Sequence, residues 1–268
     1  MKKTYKILNL WLPIFVITLC FLGFIFASND PKSTDIMNKF ADSSLAFPFG
    51  TDELGRCVFS RIMWGGWTTL GIVLLGSTIV MVVGSFIGLL LGQSSAMKNL
   101  LLDSILNAVT AIPPIAYLII FIGLWGNSIS TMIIALTASL ILRMIKLVKA
   151  QTEIEMNKAY IMCAVSCGSS KSNILFSHIL PNIIRPIVHY LCLSCAEMIM
   201  SISAFSFIGL TLGDDVIDWG AMLSSARNMM GRRPELLFYP VVFIFITTMS
   251  FNILGKYLEK GGRGDDRN

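Results

Sequence analysis

The stretch Leu70–Gly92 reads LGIVLLGSTIVMVVGSFIGLLLG and contains no charged residue. A helix rises about 1.5 Å per residue and the hydrocarbon core of a bilayer is about 30 Å thick, so about 20 apolar residues suffice to cross it. Working outward, Ile7–Ala27 and Ile105–Trp125 are equally free of charge, and Leu236–Leu254 is a fourth such run. Ile187–Phe207 is a fifth, interrupted only by His189 and Glu197, and the shorter Ile129–Leu142 is followed by Arg143 and Lys146. Long basic side chains at a helix end can reach back to the headgroups, so this run counts as a sixth. Only 14% of the 268 residues are charged and 54% are hydrophobic, against about a quarter charged in a soluble domain. The sequence therefore predicts an all-α integral membrane protein, one domain over 1–268. Its spans fall at about 7–27, 69–92, 104–125, 128–148, 183–207 and 236–256.

The first run follows Met1-Lys2-Lys3, but it is longer than the apolar core of about 7–15 residues in a secretory signal. It is read as a retained helix. With both termini inside, the inner stretches hold 14 of the 21 Lys and Arg residues, as expected when basic residues gather on the cytoplasmic side. The net charge of +5 is thus a consequence of topology and calls for no nucleic acid. Cys20, Cys57, Cys163, Cys167, Cys192 and Cys195 lie mostly in spans or on the inner side, so no disulfide framework is expected.

Between the spans lie outer segments at about 28–68 and 208–235 and an inner one at about 150–181. The inner segment is amphipathic and too polar for lipid. Its halves, around Ala159–Ala164 and Ile174–Leu180, pattern as short helices broken at Gly168-Ser169-Ser170, a helix pair suited to docking. Gly84, Gly88 and Gly92 recur every four residues in the second span, with Gly76 two turns earlier; ordinary close helix packing accounts for them. Pro113-Pro114 falls in mid-span and predicts a kink.

Three segments carry a resemblance. Gly50-Thr51-Asp52-Glu53-Leu54-Gly55-Arg56, running on to Arg61, resembles the G-T-D-x-x-G-R signature of the peptide and nickel branch of binding-protein-dependent ABC importer permeases. Tyr160, Ala164, Gly168, Ile179, Leu180 and Pro181 resemble that superfamily's coupling loop, although Met162-Cys163 stands where Glu-Ala is usual and Cys57 replaces an Asp of the outer motif. Phe205-Ser206-Phe207-Ile208-Gly209-Leu210 and Trp219-Gly220-Ala221-Met222-Leu223 resemble the branch's third signature.

The resemblance implies a type I ABC importer permease fold in a bacterial cytoplasmic membrane. It also implies as partners a second homologous permease, two ATP-binding subunits, an extracytoplasmic substrate-binding protein and membrane lipid. Ser203–Phe207 and Met249–Asn252 look more like nickel and metal-chelate permeases, with dipeptide or oligopeptide cargo as the alternative. No G-x-x-x-x-G-K-[ST] loop occurs, so ATP hydrolysis is expected in separate chains, with no catalytic residue or cofactor here.

Asp52 and Arg56 stand four apart, which reads as a helical ion pair. They are either a structural fastening or part of a receiving surface for the binding protein. Glu197 is the one acid within a span and a candidate pathway residue, or a partner for a neighbouring helix. His189, Cys192 and Cys195 recur every three residues, a spacing that drifts around a helix and favours packing over metal. Asp214, Asp215 and Asp218 form an outer acidic run, read as a solvated loop or an attractor of cations. An intramembrane protease would need a nucleophile with a base or a metal set, whereas there is no H-E-x-x-H and the two histidines lie on different segments, and a gradient-driven carrier would need inverted repeats with paired ionisable groups.

Overall fold

A computed structural model describes residues 2–93, 96–213 and 215–260. The described residues form helices joined by loops: α1 (Lys2–Leu22), α2 (Val58–Leu91), α3 (Ala96–Thr110), α4 (Pro114–Trp125), α5 (Ile129–Met156), α6 (Ala159–Ser166), the single turn α7 (Lys171–Asn173), α8 (Leu180–Phe207), α9 (Trp219–Ala226) and α10 (Glu235–Lys260). Four are long and apolar enough to cross a membrane: α2, α5, α10, and α8 together with the turns that precede it, Lys171–Phe207. The residues of the expected third span form α3 and α4, a pair bent by 75° that is either a broken span or a re-entrant loop, so the described residues hold four or five candidate spans where six were expected. The first is an apolar helix of shorter length, Leu10–Phe26, ending in the 3-10 turn Gly23–Phe26.

The proline pair explains why a break replaces the expected kink. Pro113 disfavours helical geometry at Ile112, and Pro114 takes the first position of a new helix, where its missing N–H is no loss. Pro113 itself is extended, with ψ 144°. Gly126, at φ +77°, ends α4, and the Ser128 hydroxyl accepts from the Thr131 amide at 3.1 Å to begin α5.

Two span boundaries also move. Helix α2 starts at Val58 rather than near 69; its 34 residues correspond to about 51 Å, so its first turns stand outside the hydrocarbon. There Trp67 packs on Phe21 and Phe24 with ring centroids 4.5 and 4.8 Å apart. Helix α5 runs to Met156, which places the first part of the expected inner segment in a span-length helix.

Helices α2, α5 and α8 meet in the main core, around Val73, Val80, Met144, Val148, Met198 and Ile199. The glycine row makes the α2–α5 seam. A Cβ on Gly84 would lie 2.6 Å from Met144 Cγ, on Gly88 2.7 Å from Val148 Cβ, and on Gly92 2.5 Å from Thr152 Cβ. Only hydrogen at these positions lets the backbones approach so closely. Gly76 serves the α8 side, 2.4 Å from Met198 Cε by the same measure. At the end of the bundle where α2 begins, Trp219 is fully buried, and its indole N–H donates to the Ile62 carbonyl at 2.9 Å.

Gly88→Ala should destabilise the detergent-solubilised protein by about 1–3 kcal/mol, the usual cost of overpacking. Gly71, on the same helix with nothing within 4 Å of its virtual Cβ, should tolerate Ala or gain about 0.5–1 kcal/mol from it. Thermal unfolding of the two variants side by side checks the contrast.

Candidate functional site

Past the end of α5, Lys158 is extended and α6 begins directly after it. Gly168 adopts φ +82°, and the Ser169 amide closes the turn on the Ala164 carbonyl at 3.1 Å. The Ser170 hydroxyl then accepts from the Asn173 amide at 3.3 Å and starts the next helix. The break thus falls where Gly168-Ser169-Ser170 predicts it. Ile161 is the one buried residue of α6; Met162 and Val165 are 56% and 53% exposed. A short helix with its apolar side chains outward is left lying on the surface, at the end of the bundle where α5 ends and α8 begins.

The six residues of the expected coupling element divide between two environments. Tyr160, Ala164 and Gly168 form the surface helix and its turn. Ile179 is fully buried and Leu180 packs on the core. Pro181, where the expected inner segment ends, does not interrupt the chain: the helix runs through it from Lys171 to Phe207. A proline cannot donate to the carbonyl four residues back, and the π-helical turn Ile174–Ile179 just upstream gives the wider winding that accommodates such a defect.

Sequence reasoning missed the group that fastens α6. Glu155, on the last turn of α5, is buried. Its carboxylate accepts from the Tyr160 hydroxyl and pairs with Lys158 Nζ at 2.7 Å. The Tyr160 oxygen in turn accepts from Asn182 Nδ2 at 3.0 Å. Desolvation, and after it the hydrogen bond to Glu155, pushes the Tyr160 phenol up to about 12. Spacing along one helix could not find this set, because its members come from α5, α6 and α8.

Three ion pairs involve Lys149 and Arg143 of the span-length helix α5. Lys149 is almost completely buried and lies 2.7 Å from both Asp103 on α3 and Glu153 on α5, tying the first half of the broken span to α5. Glu197 meets Arg143 across α5 and α8 at 2.7 Å. Arg143 is 14 residues into α5 and Glu197 ten residues short of the end of α8, about 21 and 15 Å along their helices.

His189 lies nearest Glu259, at 3.7 Å, while Cys192 and Cys195 are buried. Among the described residues no three His, Cys, Asp or Glu side chains group in a way that could hold a metal. An apolar cleft of about 780 Å³ opens along α8 and α10, lined among others by Met200, Phe207, Val241 and Phe245.

Ahead of α2 the expected Asp52–Arg56 helix is a tight loop. The Asp52 carboxylate accepts from the amides of Leu54 and Arg56 at 2.9 and 3.0 Å and from Arg56 Nε at 2.7 Å, with Arg61 Nε 3.7 Å away. Gly50 and Gly55 have φ of +72° and +73°, so the chain turns back where a helix would have continued, and Thr51 forms an antiparallel bridge to Cys57. The Thr51 hydroxyl accepts from the Ala41 amide at 2.8 Å, and Arg61 donates to the Pro31 carbonyl at 3.2 Å. These side chains are engaged with the outer segment's own backbone.

The third signature is partly internal: Phe205, Ser206 and Trp219 are buried while Ile208 is exposed. Asp218, fully buried, caps α9 by accepting from the Gly220 and Ala221 amides at 2.8 and 3.0 Å. Burial raises its carboxyl above the usual range. Of the expected acidic run, Asp218 is therefore no surface charge, Asp215 is exposed, and Asp214 lies outside the described residues.

Comparison with known proteins agrees with this architecture. The profile of the binding-protein-dependent transport system inner membrane component matches residues 84–263. The glutathione transport system permease protein GsiD of Pectobacterium atrosepticum is 31% identical over 212 residues, 79% of this chain and 70% of that protein. The oligopeptide transport system permease protein OppC of Haemophilus influenzae is 30% identical over 82% of this chain and 70% of its own length. The dipeptide transport system permease protein DppC of Alkalihalophilus pseudofirmus is 28% identical over 90% and 81%. The solved methionine ABC transporter MetNI, in an inward-facing conformation, shares the fold. It superposes with a TM-score of 0.63 at 16% identity, covering 75% of this chain and 95% of that one. These relatives carry peptide or glutathione names and give no support to the nickel lean of the sequence.

Asp52→Asn should cost about 1–3 kcal/mol by weakening hydrogen bonds to a charged acceptor. The outer segment near residues 30–56 should then be cut faster by added protease. Limited proteolysis and thermal unfolding in detergent check both.

Proposed function

This chain belongs to the family of binding-protein-dependent transport system inner membrane components, and from that membership we propose that it carries short peptides inward, driven by ATP hydrolysis in partner chains. It is a multi-pass permease subunit of an ABC importer, without a catalytic role of its own. The observation that carries the reading is α6: an eight-residue helix at the inner end of two span-length helices, its apolar side chains presented outward. Such a helix is suited to a groove in an ATPase, so that closure of two ATPases pushes on α5 and α8. The basic residues orient both termini to the cytoplasm. The outer loop and α9 then face an extracytoplasmic binding protein, and the apolar cleft between α8 and α10 meets the second permease.

Peptide cargo is favoured over nickel or a metal chelate by the relatives, three of which are named for glutathione, oligopeptide and dipeptide transport. The intramembrane charges fit a polar cargo. Arg143 and Glu197 remain 32% and 38% exposed on this chain, and charged groups in mid-membrane face a water-filled path or protein rather than lipid. We assign them to the path, with Glu197 the acid a cationic or zwitterionic cargo meets.

Two outcomes are expected. Met162→Asp together with Val165→Asp should abolish copurification of the ATPase chains while leaving the permease in the membrane, as read by affinity capture. Glu197→Gln should lower uptake of labelled dialanine and glutathione in a strain lacking its own importers. Unchanged uptake would remove Glu197 from the path, and uptake of nickel alone would overturn the peptide assignment.

A further inference from the structure

Helix α6 is attached to the rest of the chain by little. Its one buried side chain is Ile161, which on its own would fix a contact point and leave the helix free to pivot. The remaining attachment is the three-way joint of Glu155 on α5, Tyr160 on α6 and Asn182 on α8. We propose that this joint makes Tyr160 and Glu155 positioning residues of transport. They lock α6 to both span-length helices at once, so that a push on α6 moves α5 and α8 as one body. The inference rests on the coupling role of α6 proposed above and goes beyond it by assigning the transmission to particular side chains.

The geometry gives each member a distinct task. Glu155 is held on a second side by Lys158, 2.7 Å away, so its carboxylate stays in place as an acceptor. Tyr160 lies five residues on, past the turn in which the Lys158 amide donates to the Glu155 carbonyl at 3.1 Å. Its hydroxyl is the one atom that donates to α5 and accepts from α8. Asn182 Nδ2 also donates to the His178 carbonyl at 2.6 Å, which anchors the amide to the backbone beside the π-helical turn. Hydrogen bonds to an ionised group are stronger and stiffer than neutral ones, which suits a joint that must carry force without yielding. Loss of the Tyr160 hydroxyl leaves the ring and Ile161 in place and removes only the lock.

The test uses the complete transporter, this chain with its second permease, two ATPases and binding protein, in proteoliposomes. Labelled dialanine and glutathione serve as probes. Tyr160→Phe and Glu155→Gln should retain the ATPases and hydrolyse ATP at close to the unaltered rate. Import per ATP should fall roughly tenfold or more, the effect expected for one hydrogen bond to a charged group.

Asn182→Ala, an exposed change outside the docking helix, should lower the same ratio less. In the isolated chain carrying Cys167→Ser, a nitroxide on the exposed Cys163 should gain mobility in Tyr160→Phe. Unchanged import per ATP in both Tyr160→Phe and Glu155→Gln overturns the joint, and so does loss of ATPase copurification in them, which would make the hydroxyl a docking group. If the unaltered chain brings down no ATPase, the coupling reading falls and the joint with it.

Discussion

Helices α2 and α5 touch with glycine between them, and much of the molecule follows from how close that contact is. With Met144, Val148 and Thr152 set against Gly84, Gly88 and Gly92, the two helices are locked in register over roughly their last two to three turns of contact. In lipid this matters more than it would in water, because the hydrophobic effect does not drive helices together there and packing must hold them. The lock fixes the direction in which α5 leaves the membrane. It therefore also fixes Lys149, which holds α3, and Glu155, which holds α6. Displacing the seam would move both inner attachments together.

The apolar runs were legible because hydrocarbon imposes a length and a polarity on every crossing. Leu70–Gly92, Ile129–Leu142 and Leu236–Leu254 lie within span-length helices of the structure. The boundaries were less legible, since a helix does not stop where the lipid does: α2 begins eleven residues before the expected start at 69, and α5 continues to Met156. Prolines misled in opposite senses. Pro113-Pro114 severs a span that a single proline would have bent, and Pro181 passes inside a helix because the π-helical turn before it takes up the strain.

The site divides in the same way. Gly168 could be read from sequence because a positive φ restricts the residue type, and Gly50 and Gly55 stand in their motif for the same reason. Asp52 and Arg56 pair as their spacing suggests, but through a loop, so the correct partners came with the wrong backbone. Glu155 and Asn182 left no local pattern, because a hydrogen bond between three helices has no periodicity in one. Cys57, where an Asp is usual, is buried in the outer loop, a place where a small thiol fits more easily than a second carboxylate.

The uninterrupted course of Lys171–Phe207 has a mechanical meaning. Its 37 residues make a rod of about 55 Å, with the turn after α6 at one end and the loop before α9 at the other. A rod of that length turned by about 10° about one end carries the other through roughly 10 Å, by the helical rise alone. In the coupling proposed above, a small stroke at the α6 end would therefore reach the other end of the rod enlarged, in the manner of a lever, with no sliding between helices required. A hinge at Pro181 would absorb such a stroke near its origin.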